Sequence, residues 1–179
     1  VRRLAAAVAV WAALSGVAQA DAGLTKVGSA VDVWRLLPAA ARAFCREYWP
    51  LCAARAVGGN ADPGLLEAVN RAVNAGIVYR REAVDRWTVW PAAGDCDDYA
   101  VTKLSELIDA GVPRDALRLA LVTTAAGEGH MVLLARTDGG DVVLDNRTDA
   151  VVRWDRAGYR WVAAEWNNRG LDIGWRLVR

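Results

Sequence analysis

Little in this sequence points toward nucleic acid or toward a life inside a membrane. Its 22 lysines and arginines nearly balance 21 acids, for a net charge of +1. No broad basic field is present to draw a polyanion, so no nucleic-acid partner is expected. Past residue 20, no stretch reaches the roughly 20 apolar residues that a spanning helix needs. There is no internal repeat, and no low-complexity tract beyond an alanine-rich start. Histidine occurs once, at position 130, so any imidazole acid–base step falls to that residue. Cysteine occurs three times, at 45, 52 and 96, and an odd count leaves one thiol over if the other two pair. What is plentiful is apolar: 54% of the 179 residues are hydrophobic, which excludes a disordered chain. The length suits one domain with a real core and is short for two. Eight of the nine tryptophans follow residue 20, as core anchors and as candidates to line a groove.

The first twenty residues have the pattern of a secretory signal peptide. Arg2 and Arg3 make a short basic start, Leu4 to Val17 is uncharged, and Ala18-Gln19-Ala20 is a small-x-small cleavage site. An uncleaved membrane anchor is the alternative, though the apolar run is short for it. The expectation is a leader over 1–20, one domain over 21–179, and a periplasmic or secreted product. Disulfides persist in such compartments. Cys45 and Cys52 lie seven apart around Pro50. On a straight helix they would sit roughly 10 Å apart, too far to bond. Pro50 can break the helix and let the chain fold back. A Cys45–Cys52 bridge leaving Cys96 free is one reading; two buried thiols are the other.

Along the chain, Val33 to Phe44 carries apolar residues at 33, 34, 37, 40, 41 and 44, a helix face. Gly58-Gly59-Asn60 reads as a loop. Asp62 then caps a helix with Pro63 in its first turn. Its apolar stripe is Leu65, Leu66, Val69, Val73 and Ile77, and its polar side holds Glu67, Asn70, Arg71 and Asn74. Asp95 opens a further helix, with Val101, Leu104, Leu107 and Ile108 inward and Gly111 and Pro113 at its end. Asp95 and Asp98 have the spacing of a capping box. Strands are expected over 117–124, 130–136, 142–146, 159–166 and 173–178, with Asp138-Gly139-Gly140 as a hairpin turn. Helices first and an antiparallel meander after them predict an α+β fold.

A cysteine nucleophile needs a lowered pKa, a base, and a group to orient that base. Cys96 stands on the first turn of a helix, where the dipole favours a thiolate and the free amides can hold an oxyanion. His130 opens a strand after the glycine-rich loop 125–129. Asp145 ends the next strand across a tight hairpin, so the two can meet if the register allows. Each also has a plain structural reading: a core histidine, a small apolar cysteine, a turn-forming aspartate. Their order and their positions at element ends favour a Cys96–His130–Asp145 triad. Asn146 is the nearest alternative partner for His130.

Three segments carry a resemblance: Gly94-Asp95-Cys96-Asp97-Asp98-Tyr99-Ala100, Gly129-His130-Met131-Val132-Leu133 and Val143-Leu144-Asp145-Asn146. In that order they resemble the bacterial transglutaminase-like cysteine peptidases. Val69-Asn70 with Val73-Asn74, Asp85 to Pro91 with its two tryptophans, and Cys45 with Cys52 after Phe44 also fit. The likeness runs from about Phe44 to Trp161. It implies a papain-like, transglutaminase-like core with the nucleophile helix packed on an antiparallel sheet. It further implies Cys96 as nucleophile, His130 as general base and acid, and Asp145 as orienting acid. In the periplasmic, adhesin-cleaving branch, calcium binds beside the nucleophile at positions matching Asp95, Asp97 and Asp98. Position 97 is often Glu there, and plain helix capping is the alternative role for all three acids. That branch also implies a protein substrate, such as a cell-surface adhesin, and an inner-membrane regulatory receptor sensing a cyclic dinucleotide. Two other activities fit the same residues: another acyl transfer (transglutaminase or amidase), and a binding module without catalysis.

Overall fold

The computed structural model describes residues 39–53, 58–167 and 173–178. The expected leader over 1–20, and residues 33–38 of the first expected helix, lie outside them. The described helix α1 spans Ala39–Glu47 and buries Ala40, Ala41 and Phe44. A break at Tyr48 separates it from the single turn α2, Trp49–Cys52. This break brings Cys45 and Cys52 to a Cα separation of 5.5 Å and joins them in a disulfide. Of the two readings of this pair, the bridge is the one found, and Cys96 is the free thiol.

Helix α3, Pro63–Gly76, starts as expected: the Asp62 side chain accepts from the Leu65 amide at 2.9 Å. Its supposed polar side is not uniformly outward, because Asn70 is fully buried. Helix α4, Cys96–Asp109, is the central helix, and its first two turns are covered on nearly all sides. Ahead of it, the short parallel strands β1 (Val78–Tyr79) and β2 (Ala93–Gly94) bring the chain to the α4 N-terminus.

The sheet is antiparallel and six-stranded, in the order β6-β5-β4-β3-β7-β8. Its strands are β3 Leu117–Thr123, β4 Gly129–Thr137, β5 Gly140–Asp145, β6 Thr148–Arg153, β7 Arg160–Asn167 and β8 Ile173–Leu177. The strand β6 has no counterpart in the sequence expectation. Alternation divides the sheet residues into two clusters. Leu117, Leu119, Met131, Leu133 and Leu144 meet Val101, Leu104 and Leu107 of α4 in the main core. Val122, Val132, Leu134 and Val143 form the second cluster, covered by Trp154, Tyr159 and Trp161. A buried ion pair ties the sheet's lower end together. Arg114 reaches Glu165 with two bonds of 2.9 and 3.0 Å, and Glu165 also accepts from the Leu119 amide. The architecture is α+β, with helices packed on one face of an antiparallel sheet.

Candidate active site

Two irregularities in the sheet shape the site. Opposite Leu121 and Val122, β7 carries an extra residue, Val162. Between β5 and β6 the register slips by two: Val143 pairs Val152, but Asp145 pairs Thr148. Bulges of this kind re-aim side chains and leave backbone groups without ladder partners. Helix α3 supplies the missing partners. Asn70 accepts from the Asp145 amide and donates to the Thr148 and Asp149 carbonyls. One turn later, Asn74 donates to the Asp145 carbonyl at 3.0 Å and to Asp149 Oδ1 at 3.0 Å. The two asparagines therefore hold the β5–β6 corner, and Asp145 with it.

At this corner His130 Nε2 lies 2.8 Å from Asp145 Oδ1. The residues are not directly opposite, since Leu133 pairs Leu144, but they share a face across the β4–β5 pair. Asp145 Oδ1 also accepts from the Arg147 amide at 3.0 Å, and Oδ2 accepts from the Tyr159 hydroxyl. Burial alone would raise the Asp145 pKa. The bonds from His130, Tyr159 and Arg147 outweigh it and hold this carboxyl below the usual aspartate range. With Nε2 engaged, Nδ1 is the nitrogen of His130 left for other work. Asn146, the alternative partner, keeps a buried Oδ1 that bonds to nothing described.

Cys96 reaches the same place from the other layer. Together with His130 it lines an open cavity of about 410 Å³, walled by Asp85, Trp87, Leu121, Met131 and Val162 among others. The backbone amide of Met131, next to His130, acts on the Cys96 sulfur. Even so, the thiol is pushed up to about 12, first by burial and then by the charges of Asp97 and Asp95. The helix dipole does not make a thiolate here unaided.

The three acids around Cys96 have different jobs. Asp98 is fully buried, and both its oxygens are engaged: Oδ1 accepts from the Thr88 amide at 2.7 Å and Oδ2 from the Asp95 amide at 3.0 Å. Burial nonetheless lifts it to about 6. Gly94 makes this possible, because a Cβ there would stand 2.0 Å from Asp98 Oδ2. Asp95 and Asp97 instead bring carboxylate oxygens, with the Cys96 sulfur, within 4.8 Å of one another. Asp97 is raised well above the usual range, first by burial and then by its contact with Asp95. Asp85 joins them at the cavity wall while accepting from Trp87 Nε1 at 3.1 Å. Carboxylate oxygens crowded this closely suit a hard cation with oxygen ligands. Asp95 and Asp97 could hold one, while Asp98, whose oxygens serve the capping box, is not part of their group.

Some participants carried no signal in the sequence. Tyr159 comes from the lead-in to β7, with no motif around it. Asn70 and Asn74 were legible as part of the resemblance, but not as clamps on the Asp145 corner. Asp85 stood only within the segment before the cysteine loop.

The site thus assembles a helix-tip cysteine, a strand-borne histidine and an aspartate of the neighbouring strand, the layout of papain-like cysteine proteinases. The family model of the bacterial transglutaminase-like cysteine proteinases matches residues 34–172, and the chain belongs to that family. No curated protein matches it significantly. Among solved structures it is similar to Legionella pneumophila LapG, EGTA-treated, at 26% identity and a TM-score of 0.54. That alignment covers 64% of this chain and 66% of the LapG chain, just short of two thirds of it. A calcium-bound Legionella pneumophila LapG aligns over 82% of this chain and 84% of its own, at 21% identity and a TM-score of 0.53, a likeness of fold.

Proposed function

We propose that this chain is a cysteine peptidase that performs limited proteolysis on a protein substrate, with Cys96, His130 and Asp145 as its triad. The observation that carries the reading is the 2.8 Å His130–Asp145 bond at the rim of the cavity that Cys96 enters. In the proposed cycle His130 takes the Cys96 proton at Nδ1 as the sulfur attacks the scissile carbonyl. Asp145 holds Nε2–H and stabilises the imidazolium. Amides of the first turn of α4 face the developing oxyanion. The imidazolium then protonates the leaving amine, and water, activated by the same ring, hydrolyses the thioester. Bound calcium at Asp95 and Asp97 would neutralise the charges that now oppose the thiolate. That assignment rests on the donor set and on the likeness to a calcium-bound LapG.

The apolar wall of Leu121, Met131 and Val162 suits an extended peptide more than a small polar amide. Export by the 1–20 leader, a surface adhesin as substrate and an inner-membrane receptor as regulator follow from the resemblance and belong to the proposal. Among the described residues, no helix is long and apolar enough to cross a membrane. The test is proteomics of cell-surface proteins from cells carrying the wild-type or the Cys96→Ala chain. New N-termini that vanish with Cys96→Ala are expected, with the variant folded. Cleavage surviving in Cys96→Ala would sink the triad. Amine incorporation into substrate without new N-termini would replace hydrolysis by acyl transfer.

A further inference from the structure

One buried charge close to the site has no role in these steps. Lys103 lies on α4, seven residues and about two turns past Cys96. It is 1% exposed, and its Nζ has no hydrogen-bond acceptor among the described residues. An apolar side chain would fill such a space at lower cost than an unbonded ammonium. The ring centroid of Tyr99, on the same helix, is 5.8 Å from Nζ. From β5 and β6 the charges acting on Lys103 are Asp145 and Asp149. Helix α3 also packs on α4, and its Asn70 and Asn74 amides bond the same Asp145–Asp149 corner. Beyond Asp145 lie His130 and Tyr159.

We propose that Lys103 is a positioning residue for the acid–base pair. Its buried ammonium offsets Asp145 and Asp149, and so limits how tightly the corner holds a proton on His130. The inference rests on the triad reading. A carboxylate bonded to an imidazole favours its charged form, and an imidazolium held too firmly is a poor acid toward the leaving amine. A cation acting on Asp145 opposes that pull. Burial brings the Lys103 pKa down to about 7, with Asp145 and Asp149 resisting the shift, so the balance works best below that pH.

The sequence makes this measurable, because it holds one histidine and only two lysines, Lys26 and Lys103. The imidazole of His130 can be titrated by NMR in a Cys96→Ala background, where no turnover is needed. Adding Lys103→Met should raise the His130 midpoint by roughly half a pH unit, the order expected when one screened charge is removed. Lys103→Arg, which keeps the charge, should restore the wild-type midpoint. In active protein, the limb of the pH–rate profile assigned to His130 should move upward with it in Lys103→Met. An unchanged His130 midpoint in folded Lys103→Met overturns the proposal and leaves the triad intact. If Lys103→Met does not fold, labelled lysine decides. Asp145→Asn should lower the Lys103 midpoint, and a midpoint that stays put overturns the proposal equally. Failure of the triad itself would show elsewhere, as cleavage by Cys96→Ala.

Discussion

Two sets of carboxylates border one site and titrate in opposite directions. At the tip of α4, Asp97 and Asp98 are raised above the ordinary aspartate range; at the end of β5, Asp145 is lowered. All three are buried, so burial alone does not set the direction. The neighbours do. Asp145 is bonded by a ring nitrogen, a backbone amide and a hydroxyl. Asp97 faces other acids, Asp95 above all, and Asp98 has two amides that soften its shift without reversing it. The β5 corner is electrostatically complete as it stands. The α4 tip is short of positive charge, and it is the tip that bears Cys96, the proposed nucleophile. In the proposed mechanism the readiness of His130 and that of Cys96 are thereby set in different places, and a cation at Asp95 and Asp97 would act on the second alone.

The strongest way to break the contrast is at its completed end. Asp145→Asn should cut turnover by about 10³–10⁴-fold with a much smaller effect on KM, because an amide neither fixes the tautomer of His130 nor stabilises the imidazolium. The same substitution should change the acid limb of stability. A carboxyl with a lowered folded pKa adds stability above its unfolded pKa near 4 and loses it as pH falls through the folded value. Wild-type protein should therefore lose more stability than Asp145→Asn on acidification below about pH 4. A variant with full turnover would place the orienting group elsewhere.

A smaller effect is expected at the incomplete end. Asp97 and Asp98 have raised folded pKa values, so the stability they contribute is full below about pH 4 and is lost as pH rises, for Asp98 through about 6. The melting temperature of chelated protein should fall between about pH 5 and pH 8. Calcium should raise it, more at pH 8 than at pH 5, and should raise activity in parallel. Asp97→Asn should flatten the pH dependence and remove most of the calcium response. A flat profile with no response to calcium would leave these acids as helix caps alone.

The legible part of this site was local. A capping pattern placed Cys96 on a first turn, and strand alternation with a tight hairpin put His130 and Asp145 on adjacent strands. What stayed hidden depends largely on tertiary contacts, the Asn70 and Asn74 bonds across more than 70 residues above all. Asn70 shares a helical period with Glu67, Arg71 and Asn74, so it reads as solvent-facing. Only the register slip at Asp145 and Thr148 gives it buried backbone to bond. The same slip hid β6. Its sequence, TDAVVR, is polar at both ends and largely exposed along its length, which masks the alternation. The Cys45–Cys52 pair was open between bridge and thiols because spacing alone does not show where α1 breaks. Lys103 lies outside the stripe of Val101, Leu104, Leu107 and Ile108, so the helical period marks it as solvent-facing and its burial was not legible.

The smallest effect sharpens the comparison most. The Tyr159 hydroxyl is one of three donors to Asp145, and the only one that a side-chain substitution removes without disturbing His130 or the backbone. If donors set the direction of the Asp145 shift, Tyr159→Phe should move Asp145 part of the way toward its α4 counterparts. The folded pKa would rise while His130 and Arg147 kept it from crossing over. Loss of one hydrogen bond to a partly buried charge should lower stability by about 1–2 kcal/mol at neutral pH. It should also slow turnover a few-fold, because the carboxylate is then held by two contacts and His130 is oriented less firmly. Thermal melts from pH 3 to pH 7, with kcat measured alongside, would read both. Since the wild-type advantage depends on an ionised Asp145, the stability gap should narrow as pH falls below about 4. A gap independent of pH would mean that the hydroxyl only packs against the corner, and that His130 and the Arg147 amide suffice to hold Asp145 low.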